Sequence, residues 1–192
     1  MLPASAISTA AFAALAGLVA TGATTGIDGW AITHTMPGAQ FSGHTPTTAE
    51  GLVPLLHVRW HGAVHILAEI VTVPAAFLPS LVILVVLRRF GWILVWAIGN
   101  AIEELCKWTL SRPALYHHGL HLAAFDHSYP SGHTVRAAIL AAAWRPARPW
   151  AVAAIVMLEV GGFHVPTDLA GGALLALALL GARRLARARR RS

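Results

Sequence analysis

Charged side chains are scarce in this chain of 192 residues. Only 11% are Asp, Glu, Lys or Arg, against 56% hydrophobic residues and a mean hydropathy of +0.63. So low a charge content excludes an ordinary soluble domain of this length and indicates a polytopic membrane protein. Cysteine is nearly absent. Cys106 stands alone, which excludes a disulfide or a multi-cysteine metal site within one chain, and it is expected to pack inside a helix. No charged side chain precedes Asp28, so the first apolar stretch lacks the basic region that opens a secretory signal. Residues 4–23 are read as a first transmembrane helix, with a cleaved signal as the alternative.

What charge there is lies in clusters. The net charge is +6, and ten of the fourteen basic residues fall at Arg88-Arg89, at Arg145 with Arg148, and between Arg183 and Arg191. Basic clusters beside apolar spans mark the cytoplasmic side. The tail is read as a topology anchor on anionic headgroups, not as a nucleic-acid site. Spans are expected at 4–23, 62–87, 91–110, 132–145, 149–164 and 166–187. A span takes ~20 residues, so six fit as a single all-α transmembrane domain over 1–192. The three basic clusters then agree on both termini in the cytoplasm. The outer side receives the loop 24–60, the loop 111–131 and a tight turn near His164. The first of these loops is rich in Gly, Thr and Pro and is expected to carry a short interfacial helix near Trp30.

That topology brings Lys107, Arg112, Ser131, His133, His164 and Asp168 to one outer level. Pro130-Ser131-Gly132-His133-Thr134 reads as a helix start. Ser131 can cap it, and first-turn amides lack partners within a helix. Gly132 lets an anion approach the backbone closely, where the helix dipole favours negative charge. His133 can donate a proton near neutral pH. Its rival reading is an ordinary Pro-Ser helix start with an incidental histidine. Further on, His164 is followed four residues later by Asp168, with Pro166 opening a helix between them. A carboxylate one turn away can take the Nδ1 proton of an imidazole and leave Nε2 free to attack phosphorus. An aspartate in a first helical turn is also favoured by the dipole alone. Lys107 and Arg112 flank the end of the third span and can neutralise a phosphoryl group. Lys107 also follows Glu103 and Glu104, so pairing with a carboxylate is the alternative.

By these residues the chain resembles the type 2 phosphatidic acid phosphatase family, whose relatives include bacterial lipid phosphatases, glucose 6-phosphatase and vanadium haloperoxidases. The resemblance covers roughly residues 60–185 and rests on Lys107, Pro130-Ser131-Gly132-His133, His164 and Asp168 in that order. It implies a helical membrane enzyme that forms a phosphohistidine with no metal and no cofactor. His164 would be the nucleophile, Asp168 its orienter and His133 the acid for the leaving group. Lys107, Arg112, Ser131 and Gly132 would hold the phosphate of a membrane lipid. The localisation implied is the plasma (inner) membrane, with the site extracytoplasmic. Two positions depart from the family pattern. The family's first motif places six residues between its Lys and Arg-Pro; here four separate Lys107 from Arg112-Pro113, and the usual arginine position is Ala114. The Ser-Arg of the third motif is here Met157-Leu158. Arg136 lies three residues past His133 on the same helix face. It is expected either to reach the phosphate, replacing the arginine missing at Leu158, or to pair with Glu159, Glu103 or Glu104.

Two other readings compete. One is a lipid-phosphate binding protein with weakened catalysis. The other is a metal-binding membrane protein. His57, His61, His65 and Glu69 recur every four residues, facing a loop with His117, His118, His121 and His127. Imidazoles at that spacing can share a zinc ion.

Overall fold

The computed structural model describes residues 4–36 and 63–190. It is helical almost throughout, as expected from composition. Among the described residues there are eight α-helices and one two-stranded hairpin.

Helix α1 (Ala4–Ala20) carries no charge and meets α2 (Thr25–His34) at a bend of 82°. Gly22 makes that bend with φ +77, a conformation that costs glycine nothing. Trp30 is exposed on α2 and stacks on His34. This is the short helix expected near Trp30. The apolar run 62–87 was expected to form one span, but it forms α3 (Ala63–Thr72), a 3₁₀ turn at Val73–Ala75 and α4 (Phe77–Val86), bent by 48°. Pro74 is the physical reason: it lacks the amide proton that a continuous helix needs. Pro79 falls within the first turn of α4, where a missing amide proton is tolerated.

Helix α5 runs over Ile93–Thr109, α6 over Gly132–Ala143, α7 over Arg148–Val160 and α8 over Pro166–Arg189. Among the described residues only α8 is long and apolar enough by itself to cross a membrane, and up to three spans result if each bent pair counts as one. The expected spans 132–145 and 149–164 are helices of 12 and 13 residues. They rise about 18–20 Å, short of a ~30 Å hydrocarbon core. Membrane association is therefore supported most directly by α8, and the number of crossings is a separate question.

Helix α6 is the axis of the fold. It packs on α5, α7, α8 and α4, and Val135, Ile139 and Leu140 bury against Leu84, Val95, Trp96 and Leu175. Helix α1 lies along α8. A second apolar cluster of Ala31, Ile32, Met36, Leu115, Leu122, Phe125 and Val165 covers the end of the bundle where α6 and α8 begin. It is built from α2 and from the segment containing the hairpin β1 (Tyr116–His117) and β2 (Leu120–His121).

Candidate active site

Ser131 begins the site. Its backbone is extended, and its side chain accepts from the amide of Thr134 at 3.3 Å and from the Thr134 hydroxyl at 3.1 Å. It is therefore the cap of α6, as its position before an apolar run predicts. Its own amide donates to the carbonyl of Asp168 at 3.0 Å. One hydrogen bond thus ties the start of α6 to the start of α8. The preceding Tyr129 donates its hydroxyl to the carbonyl of Phe12 at 3.2 Å, and burial pushes that phenol up, so it acts only as a neutral donor.

Two glycines let these helix starts meet. A Cβ on Gly172 would lie 2.5 Å from the Ser131 carbonyl oxygen and 2.8 Å from the Thr134 Cβ, and one on Gly171 would lie 2.3 Å from Cε2 of the Tyr129 ring. Closeness of α6 and α8 at this level is thus a property of Gly171-Gly172. Gly172→Ala should cost about 1–3 kcal/mol through overpacking and part His164 from His133. Gly17→Ala, where nothing lies within 4 Å, should be neutral or slightly stabilising because alanine is the better helix former. Thermal unfolding of the two variants in detergent compares them directly.

Helix α7 ends at Gly161, and Gly162 turns the chain with φ +77. The amides of Phe163 and His164 both donate to the Leu158 carbonyl, at 2.9 and 3.2 Å. Pro166 then opens α8. This places the Asp168 carboxylate, fully buried, 3.3 Å from Nδ1 of the half-buried His164. An ionised carboxylate only accepts, so it holds the imidazole proton on Nδ1. The His133 and His164 rings are neighbours, with centroids 6.2 Å apart and planes tilted by 55°. The expected nucleophile, orienter and acid are therefore brought together.

The expected phosphate ligands are placed differently from one another. Arg112 is buried, with both terminal nitrogens on carboxylates: one donates to Asp28 Oδ2 at 2.9 Å and the other to Asp168 Oδ1. Asp28 also accepts from the Thr167 hydroxyl at 2.8 Å and from its amide at 3.3 Å. Burial pushes the Asp28 carboxyl above its ordinary value, opposed by the Thr167 hydroxyl and the Arg112 guanidinium. Arg112 thus clamps α2 to α8 and holds Asp168 from behind. This differs from the expectation that it lies open to phosphate, because both terminal nitrogens already donate to carboxylates.

Lys107 and Arg136 meet on Glu103. Lys107 donates to Oε1 at 2.5 Å and Arg136 to Oε2 at 2.8 Å. Arg136 also donates to Asn100 Oδ1 and to the Ala75 carbonyl, both at 2.7 Å. Among the partners expected for Arg136, Glu103 is the one observed, while Glu159 accepts from the Thr35 hydroxyl at 2.7 Å. Gly132 lies against this same carboxylate, and a Cβ there would fall inside it. The glycine read as admitting an anion does so, and the anion it faces is Glu103.

No family model, curated protein or solved structure matches this chain.

Sequence reasoning missed Asp28 and Thr167 and gave Glu103 and Asn100 no place in the site. Asp28 did carry a signal, being the first charge after a long neutral stretch. An ionisable group within apolar sequence requires a partner. Of the alternative metal set, His57 and His61 lie outside the described residues. His65 has Nδ1 3.0 Å from the Gly161 carbonyl and Nε2 3.7 Å from Glu69. Among the described residues no three His, Cys, Asp or Glu side chains are arranged to hold a metal ion. In the segment between α5 and α6, His121 pairs with Asp126 at 3.0 Å and His127 Nδ1 lies 3.3 Å from the Leu110 carbonyl.

Proposed function

We propose that this chain is an integral membrane lipid phosphatase related to the type 2 phosphatidic acid phosphatases. The observation that carries the reading is His164, backed by Asp168 and neighboured by His133 beside the Ser131-capped start of α6. A pure binding protein has no use for an oriented imidazole beside a second one.

The chemistry follows from that geometry. With its proton held on Nδ1, His164 presents the Nε2 lone pair to phosphorus. The N–P bond forms as the bond from phosphorus to the lipid oxygen breaks, and His133 delivers a proton to that oxygen. His133 then takes a proton from water, whose oxygen attacks phosphorus and releases phosphate and the His164 imidazole. Lys107, Arg136 and the first-turn amides of α6 are the groups suited to the charge of the phosphoryl oxygens.

A bilayer setting is supported by the outward faces of the helices. Leu67, Ile70, Val82, Val86, Leu94, Leu105, Val152, Val156 and Leu177 are all exposed, more than a soluble monomer tolerates. An apolar cavity of about 260 Å³ between α1, α5 and α8 is lined by Phe12, Ile102, Leu175 and Leu179. It offers a hydrocarbon tail a place next to the site, since Phe12 stacks on Tyr129. We read the chain as a six-span protein of the inner membrane with both termini cytoplasmic and the site outside. The substrates that fit are a polyprenyl diphosphate or polyprenyl-linked sugar phosphate, followed by phosphatidic acid or phosphatidylglycerol phosphate.

The test is phosphate release by purified protein from a panel of these lipids in detergent with EDTA, comparing wild type with His164→Ala. Release that survives chelation and is lost in the variant is expected. One observation favours a second reading, a lipid-phosphate binder: Arg112 and Arg136 are both engaged by carboxylates. Folded protein that binds a lipid phosphate but releases nothing from any of them would establish it.

A further inference from the structure

Glu103 lies against Gly132 at the start of α6, where two cations of the site converge. Lys107 approaches from its own helix, one turn on, and Arg136 from α6. Gly132 supplies the open backbone beneath it, since any side chain there would overlap the carboxylate. Asn100 completes the group by accepting from the same Arg136 nitrogen that donates to Glu103. Two cations, a glycine without a Cβ and the first turn of a helix are the components of an anion seat. Here both cations are paired with an anion from the protein itself, which lies against the glycine.

A second anion cannot join this arrangement unchanged. A phosphate on Lys107 and Arg136 would be in contact with the Glu103 carboxylate, and like charges at that range repel strongly away from water. The cations are also already paired, since each carboxylate oxygen takes a donor from one of them. We infer that Glu103 is an internal anion that closes the phosphate seat, and that a substrate phosphate enters only by displacing or neutralising its carboxylate. The inference rests on the reading of this site as a phosphate site. It assigns Glu103 to regulating access, with no part in bond breaking. It also implies that the site favours a highly charged headgroup such as a diphosphate, which competes best with a resident carboxylate.

The experiment is calorimetric titration of inorganic phosphate into full-length protein in detergent at pH 7, for wild type, Glu103→Gln and Glu103→Asp. Glu103→Gln keeps the size of the side chain and removes the charge, so it should bind phosphate at least tenfold more tightly than wild type. Glu103→Asp keeps Arg136 paired with a negative charge but draws the carboxylate back from Gly132. It should gain about threefold, and it carries the test if the glutamine variant does not fold. Wild type that binds phosphate as tightly as or more tightly than both variants overturns the inference and leaves the phosphatase reading standing. If no protein binds phosphate and none hydrolyses a lipid phosphate, both readings fall together.

Discussion

Replacing Asp28 by alanine is expected to destabilise the protein by about 3–5 kcal/mol, the cost of leaving a buried charge without its partner. Three donors converge on this one carboxylate: an Arg112 nitrogen, the Thr167 hydroxyl and the Thr167 amide. The Arg112 Nε is already buried without a hydrogen-bond partner, so losing Asp28 leaves the guanidinium with Asp168 alone. The damage extends beyond the pair, because α2 is held against α8 here and carries Ala31 and Ile32 into the cap of the bundle. Glu or Gln could not reproduce the geometry, and Asn is no mild substitute. Every partner of Asp28 is a donor, so an asparagine must turn its amide hydrogens toward one of them. Thermal unfolding in detergent measures the effect. A double replacement of Asp28 and Arg112 by alanine should lose less than the sum of the two single ones, as expected for residues in direct contact. A loss under about 1 kcal/mol for Asp28→Ala would mean the pair is worth no more than an exposed one.

Local signals were the legible ones. Ser131 before an apolar run gave the start of α6, Pro166 gave the start of α8, and Trp30 in a polar loop gave α2. Each depends only on neighbours within a turn. The apolar run 62–87 was legible as a candidate span, but its bend of 48° was not. Pro74 sits within a stretch of uniform hydropathy, yet a single missing amide is enough to bend the chain. The order of His133, His164 and Asp168 was legible because Asp168 lies one turn from His164 and both histidines sit at helix starts.

The ion pairs were not legible, for a geometric reason. Arg112 and Asp28 are separated by 84 residues, and Thr167 and Asp28 by 139. Nothing local distinguishes Arg112 as a clamp from Arg112 as a phosphate ligand. The partner of Arg136 depended on helix rotation. Glu103 and Glu104 are neighbours on α5, about 100° apart around its axis, and only the observed packing turns Glu103 inward and leaves Glu104 exposed. Gly171-Gly172 carries no local signal beyond that of a small pair in an apolar helix. Their meaning appears only once Tyr129 and Ser131 are seen to lie against them.

Asp168→Asn should abolish turnover through the tautomer of His164 while leaving the fold in place. Arg112 donates to Asp168 Oδ1, and His164 Nδ1 faces Oδ2. An asparagine must keep its oxygen toward Arg112, since a guanidinium only donates. Its amide nitrogen then points at His164 and donates to Nδ1. The imidazole responds by carrying its proton on Nε2, the atom that has to attack phosphorus. A loss of about 10⁴-fold is expected, the scale of the same reversal in a serine protease triad. Asp168→Ala acts differently: it frees the ring to choose either tautomer but strips Arg112 of its second partner, so it should lose stability as well as rate. Nitrogen NMR of His164 separates the two effects, because the asparagine variant should show the proton moved from Nδ1 to Nε2 whether or not a substrate is known. An asparagine variant that keeps the Nδ1 tautomer, or turns over within tenfold of wild type, would show that Asp168 serves Arg112 alone, and that the imidazole is oriented by something else.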